Sequence, residues 1–309
     1  MDQALLQLGR ALREAGYSFV TPTPETIRRV NARPGNQAAR DLRGVFGWSR
    51  PFDQGVLPGA LLAMLERAGA LEQVEALATG DSGPARFRSR VRFSSLAGQL
   101  FVHSAYPTTA ADAVFFGPDT YRYAGLLLRS VERAGRAADV GCGSGAGGIV
   151  LAKRARKVVL SDVNPLALRY ARVNAALAQV EDQIEIVQSD VLRAVEGALD
   201  LVVSNPPYLA DDRGRVYRDG GGPRGIDLSV RIASEALSRL APGGRLLLYT
   251  AAPIEDGRDP LREALEPLLA RASFTYTELD PDVFGEELDR SAYASADRIA
   301  VVAIDAVVR

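Results

Sequence analysis

Cysteine, histidine and lysine are nearly missing from this 309-residue chain. A single cysteine, Cys142, excludes an internal disulfide and makes a reducing compartment the simple expectation. With only His103 beside it, a His/Cys zinc site lacks ligands, and no metal site is expected; a Ser-His-Asp triad would need His103 as its base. The longest apolar runs are five or six residues, far short of the roughly 20 that span a bilayer. Met1-Asp2-Gln3 lacks the basic and apolar regions of a signal peptide. A cytoplasmic protein with no membrane partner is therefore expected. Neither sign of charge dominates: 37 basic residues face 38 acidic ones, for a net charge of -1. Lys153 and Lys157 are the only lysines, so the basic residues are almost all arginines, which carries no chemical message. Hydrophobic residues at 47% and charged residues at 24% exclude a disordered chain.

Residues 1–113 read as a smaller mixed α+β domain. Leu5, Leu8 and Leu12 recur at helical spacing before Gly16, and Thr23-Pro24 reads as a cap with a first-turn proline. A helix over about Leu57 to Arg67 precedes the turn cluster Gly80-Asp81-Ser82-Gly83-Pro84. The period then changes to two. Phe87, Val91 and Phe93 alternate with Arg86, Arg88, Arg90 and Arg92, and a second strand follows near Gln99 to His103. Helices followed by a β-ribbon resemble a winged-helix module. The arginine row reads as the wet face of a half-buried strand, in preference to a nucleic-acid ribbon. His103 is expected to be a strand residue, and Ser104 to Asp112 a domain boundary. Residues 114–309 alternate strands and helices. Strands fit at 137–141, 158–161, 183–188, 199–204, 245–250, 273–279 and 298–304. Asn164 and Asp227 are expected to cap the helices that follow them. Apolar strands separated by helices predict a seven-stranded, mostly parallel Rossmann-like sheet, whose ligands bind beyond the carboxyl ends of its strands.

The chemistry gathers at those ends. The first strand runs into Asp139-Val140-Gly141-Cys142-Gly143-Ser144-Gly145, where glycines permit a tight turn and close approach of a ligand. The second ends in Ser161-Asp162-Val163-Asn164, the third in Ser189-Asp190-Val191, and the fourth in Asn205-Pro206-Pro207-Tyr208. This set resembles class I S-adenosylmethionine (SAM)-dependent methyltransferases over about 114–305. The resemblance implies that SAM is the cofactor and that Gly141, Gly143 and Gly145 pass under its methionine part. It also implies that Asp139 orients that loop, that Asp162 serves the ribose and that Asp190 serves the adenine, with Asn164, Val191 and Asn205 as further expected cofactor contacts. Gly143 to Gly148 also satisfies G-x-G-x-x-G with Asp162 about 20 residues on, so a nicotinamide dehydrogenase would account for that fragment. It would leave Asn205-Pro206-Pro207-Tyr208 unexplained.

That tetrapeptide resembles the N-P-P-Y motif of adenine N6-methyltransferases and HemK-type glutamine N5-methyltransferases. Its logic follows from the acceptor, a planar nitrogen whose lone pair is delocalised. The Asn205 oxygen and the Pro206 carbonyl can accept its two N–H bonds, Tyr208 can stack on its flat face, and two prolines pre-aim the backbone. Phe116-Gly117-Pro118-Asp119-Thr120-Tyr121 partly resembles the Pro-x-Thr segment that covers the cofactor in the glutamine enzymes, which brings Tyr121 in as a cofactor contact. That family usually carries Arg and Glu where Gly117 and Tyr121 stand. The loop from Leu209 to Gly225, with Arg213, Arg215, Arg218 and Arg224, is either a substrate lid that meets phosphate or carboxylate, or a solvated loop. Cys142 is expected to fill space.

The reading is a SAM-dependent N-methyltransferase acting on a planar nitrogen of a protein, RNA or DNA. Residues 1–113 would recognise the substrate and residues 114–309 would catalyse. A small-molecule N-methyltransferase, an NAD-dependent oxidoreductase and a SAM-sensing winged-helix regulator are the alternatives. The oligomeric state is not legible.

Overall fold

The computed structural model describes residues 2–74, 86–211 and 214–309. Helices α1 (Gln3–Glu14), α2 (Pro24–Asn31) and α3 (Leu42–Phe46) open the chain. Strand β1 (Phe52–Asp53), α4 (Gly59–Arg67), β2 (Leu71–Val74), β3 (Arg86–Ser89), β4 (Val91–Leu96) and β5 (Gln99–Ser104) follow. Thr23 caps α2 by accepting from Thr26 N, with Pro24 in the first turn. Strands β1, β3 and β2 form one small sheet, and β4 pairs with β5 in a hairpin.

This corrects the arginine row. The alternation is not one ribbon, because the chain leaves the first sheet at Arg90 and enters the hairpin at Val91. Arg92 is not on a wet face; it is 4% exposed, beneath the Phe19 ring. Period two ran across the break because both halves alternate, each toward a different neighbour. The turn cluster at 80–84 lies outside the described residues.

The second part consists of α5 (Pro118–Ser130), β6 (Ala134–Val140), α6 (Ala146–Leu151), β7 (Ala155–Asp162), α7 (Pro165–Ala178), β8 (Ile184–Gln188) and β9 (Leu199–Ser204). Helix α8 (Asp227–Arg239), β10 (Leu240–Ile254), α9 (Pro260–Leu269), β11 (Ala272–Asp280) and β12 (Arg298–Val308) complete it. All seven expected strands are present, in one sheet of order β11-β12-β10-β9-β6-β7-β8. Six strands run in one direction, and β12, between β10 and β11, is antiparallel to both. The chain proceeds outward from β6 to β8, then restarts at β9 on β6's other side. That reversal opens a crevice beyond the ends of β6 and β9, where open α/β sheets take ligands. Asp227 does not cap α8. It is the first helical residue after Ile226 and makes no capping bond.

Helix α7 joins the two parts. Asn164 caps it by accepting from Leu166 N at 2.9 Å, and Pro165 begins it. Its Tyr170, Val173 and Leu177 share a buried cluster with Leu5, Leu8 and Leu12 of α1. Asn174 is fully buried, and its amide accepts from Val102 N and donates to Val102 O and Ser144 O. One side chain thus pins β5 to the glycine loop. The expected linker, Ser104 to Asp112, is part of this packing: Asp112 O accepts from Asn164 Nδ2 at 2.7 Å. Among the described residues, no helix is long and apolar enough to cross a membrane.

Candidate active site

A cleft of about 610 Å³ lies beyond the ends of β6, β7 and β9. Gly141, Gly143, Asp162, Asn164, Asp190, Val191 and residues 205–208 all line it. The glycines do so by backbone. Gly141 and Gly143 have φ of +67° and +53°, which L side chains rarely adopt. A Cβ on Gly141 would stand in open space, and one on Gly143 would reach only Val114 at 4.0 Å. The loop therefore presents bare peptide to the cleft, a cradle suited to the flexible tail of a ligand.

Other expected residues stand behind that surface. Gly145, at φ +79°, is not on the cleft wall; a Cβ there would press on Ile149, Leu160 and Ala171. Asp139 is buried below the loop, where it accepts from Tyr123 OH at 2.8 Å and Gly148 N at 2.7 Å. It holds the start of α6, and burial pushes its pKa up to about 7. Asp162 does reach the cleft. One oxygen accepts from Gly143 N at 2.9 Å and the other from Asn164 N at 2.9 Å, while burial raises its pKa. Asp190 lines the rim with its carboxylate paired to Arg231 and Arg193. Val191 is held at φ +54°, an outlier for a β-branched residue, and such strain gathers at ligand sites.

Tyr121 is displaced from its expected role. It does not line the cleft: it turns toward the N-terminal part, where its hydroxyl accepts from Thr21 N at 2.9 Å and its ring meets Phe116 edge-on. Helical geometry explains the miss, because Asp119 and Thr120 take the cleft side of α5 and leave the next position on another face. Asp119 accepts from Tyr249 OH at 2.9 Å, and it stands close enough to Tyr208 to help burial push that phenol's pKa up.

The tetrapeptide follows directly on β9. Ser204 Oγ donates to Val140 O at 2.7 Å and ties the ends of the two central strands together. Asn205 Oδ1 is buried, has no hydrogen-bond partner among the described residues, and belongs to a cleft-lining residue. A buried amide oxygen left unpaired is costly, and its presence in a pocket wall points to a donor that arrives with a ligand. The Tyr208 ring packs at a tilt on Phe284, 6.0 Å between centroids.

The arginine-rich loop is bound to its own chain. Asp211 accepts from Arg215 at 3.0 Å and faces Arg218, which also pairs with Glu287; these arginines hold the Asp211 pKa down at about 2. Arg224 pairs with Glu255. Arg213 lies outside the described residues. Tyr217 stacks on Phe115 at 5.7 Å and 12° and donates to Thr108 O, so the loop closes against residues 108–115. Phe115, Asp119, Phe284 and Glu286 are wall residues that sequence reading missed. The aromatic pair Phe115-Phe116 just before Gly117 was an available signal, whereas nothing in 281–289 marked its approach. His103 is buried in β5, stacked on Phe116. Cys142 is buried with its pKa pushed up, unsuited to nucleophilic chemistry. Among the described residues, no cluster of three or more His, Cys, Asp and Glu could hold a metal ion.

Comparison with known proteins agrees with this architecture. Release factor glutamine methyltransferase of Deinococcus radiodurans is 30% identical over 216 residues, covering 65% of this chain and 74% of its own length. Ribosomal RNA small subunit methyltransferase C of Pasteurella multocida is 30% identical over 161 residues, covering 50% of this chain and 43% of its own. Beyond the Deinococcus protein, the chain spans about half the length of the first curated relatives it matches. The solved structure of wild-type Trm5b from Pyrococcus abyssi superposes with a TM-score of 0.50 at 16% identity, over 94% of this chain and 79% of that one, a likeness of fold. The profile described as "Methyltransferase small domain" matches residues 112–267, which span the sheet from β6 to β10 and every strand end described above, and the chain belongs to that family, as a class I member of HemK-like type.

Proposed function

We propose that this protein transfers a methyl group from S-adenosyl-L-methionine to a planar amide or exocyclic amine nitrogen of a protein or nucleic acid. The observation that carries the reading is the buried, unpartnered Asn205 Oδ1 in the cleft wall. SAM, when bound, supplies an electrophilic methyl on a sulfonium. The bare peptide at Gly141 and Gly143 suits its methionine part, Asp162 its ribose, and Asp190 with Val191 its adenine. Asp139 and Asn164 position these residues, one by holding α6 and the other by capping α7.

Asn205 Oδ1 accepts one N–H of the acceptor, and the Pro206 carbonyl accepts the other. Two acceptors on one NH₂ group fix its orientation and draw electron density toward nitrogen. Tyr208 offers its ring to the flat group. Residues 1–113 serve substrate recognition in this reading, since Pro24 and Tyr106 to Thr109 form part of the wall. A glutamine side chain, as the name of the Deinococcus relative indicates for that protein, and a nucleobase amine both present such a nitrogen.

The test uses SAM labelled in the methyl group, incubated with cell extract separated into protein and RNA. Label enters one fraction with the wild type and is lost with Asn205→Ala. In parallel, S-adenosylhomocysteine raises the melting temperature and NAD does not. Stabilisation by NAD alone would end the reading.

A further inference from the structure

Arg92 carries a buried charge that the chain does not balance. It is 4% exposed, and no carboxylate among the described residues lies within ion-pair distance. Its contacts are the Phe19 ring at 5.6 Å, which Arg43 also covers, and a 3.3 Å hydrogen bond from Nη2 to Thr21 Oγ1. Its buried Nε has no hydrogen-bond partner.

The network beyond Thr21 offers no negative charge. His103 is fully buried, and both burial and Arg92 hold its pKa well below the usual range, so it is neutral. Its Nδ1 donates to Ser104 O at 3.0 Å, which leaves Nε2 as an acceptor for Ser94 Oγ at 2.8 Å. Ser94 Oγ in turn accepts from Thr21 Oγ1, and Thr21 accepts from Arg92. The neighbouring phenols of Tyr17 and Tyr121 have pKa values raised by burial and stay protonated. Every link is neutral except the guanidinium. A guanidinium keeps its proton near neutrality, and burying it without a counter-charge is strongly destabilising.

A pocket of about 10 Å³, lined by Thr21, Arg92, His103, Ser104 and Tyr106 among others, lies at this group. It has room for about one water-sized group. Pro24, Tyr106, Thr108 and Phe115 line both this pocket and the main cleft, so the two adjoin. We propose that Arg92 and this pocket form a carboxylate-binding subsite, in which one oxygen of an acidic group on the methyl acceptor seats against the buried guanidinium. The space admits a single oxygen, so the contact is one charge-assisted N–H···O bond and the rest of the acidic group stays in the adjoining cleft. That the carboxylate belongs to the acceptor rests on the methyl-transfer reading; the subsite itself does not.

The test is thermal unfolding of the full chain at constant ionic strength, with sodium formate replacing sodium isethionate. Wild type should show a rise that follows the logarithm of 1 + [formate]/Kd and reaches about 2–4 °C at about five times the Kd. Arg92→Met exchanges the charge for an apolar chain of similar reach. It should melt at or above wild type in isethionate and gain nothing from formate. Arg92→Lys, which keeps the charge without the fork, should keep a reduced response and guards against a folding defect in the Met variant. No response in wild type, an equal response in Arg92→Met, or a larger shift with phosphate than with formate overturns the proposal. S-adenosylhomocysteine added to the same samples reports on methyl transfer separately. A formate response without any response to this compound would sink the methyl-transfer reading and leave the subsite standing.

Discussion

Asn205→Ala separates catalysis from stability more sharply than any other change in this fold. Its Oδ1 is already desolvated and unpartnered in the free protein, so a hydrogen bond to the acceptor replaces no bond to water. Such a bond falls at the strong end of the usual range, about 1–3 kcal/mol, or roughly 5–150-fold in rate at about 1.4 kcal/mol per decade. Most of it should be felt in the transition state, where the nitrogen gains positive charge and its N–H groups become better donors. A loss of about 100-fold in kcat/KM is therefore expected. Truncation also removes an unsatisfied polar atom, which offsets the small void left behind, so stability should change by less than about 1 kcal/mol. The assay is the initial rate of label incorporation at saturating donor, alongside melting temperature with and without S-adenosylhomocysteine. A rate within about threefold of wild type, or a loss of rate matched by an equal loss of donor affinity, would refute this assignment of Asn205.

Asp162→Ala removes both the brace on Gly143 N and the expected ribose acceptor; it should weaken S-adenosylhomocysteine binding about 10–100-fold, measured by calorimetry. Asn174→Ala leaves Val102 N, Val102 O and Ser144 O without their buried partner, and should cost about 3 kcal/mol in denaturant unfolding. Gly148→Ala places a Cβ against Leu160 and Val158 in the sheet beneath α6, and should lower the melting temperature more than Gly141→Ala, whose Cβ meets nothing and whose cost is the backbone strain of its positive φ alone. Asp139, with a folded pKa pushed up to about 7 from the ordinary carboxylate range near 4, takes up a proton in the native state that the unfolded chain does not. Its contribution to stability grows as pH falls from about 7 toward 4 and is lost as pH rises through 7. Asp139→Asn should flatten the stability profile across that window.

The half that carries the seven-stranded sheet was legible because its information is local. Asp139, Asp162, Asp190 and Asn205 each sit a residue or two from a strand end, and strand ends can be read from runs of apolar residues between glycine, proline and asparagine. A parallel sheet with a reversal of strand order then brings those ends together whatever the intervening helices do. Alternating strands and helices were enough to predict a mostly parallel sheet, whereas its strand order came from the structure. Asn164 was legible for the same reason, since a cap acts within its own turn.

What the sequence hid were decisions made between distant segments. Tyr121 stands one position beyond two cleft residues, yet the turn of α5 sends it to Thr21, a hundred residues upstream. Arg92 alternates with apolar neighbours exactly as an exposed residue would, but a second layer, Phe19 and Thr21, covers the face it occupies. Arg215, Arg218 and Arg224 of the 209–225 loop looked ready for an outside anion, and folding brought them Asp211, Glu255 and Glu287 instead. Periodicity reports which residues share a face; it carries no information about what lies against that face. The sequence by itself therefore determined the strands of the sheet, the glycine loop and the placing of residues 205–208 at the end of a strand. Only the tertiary structure decided which charges are spent internally and which, at Arg92, stay uncompensated, because electrostatic partners are chosen by distance in space.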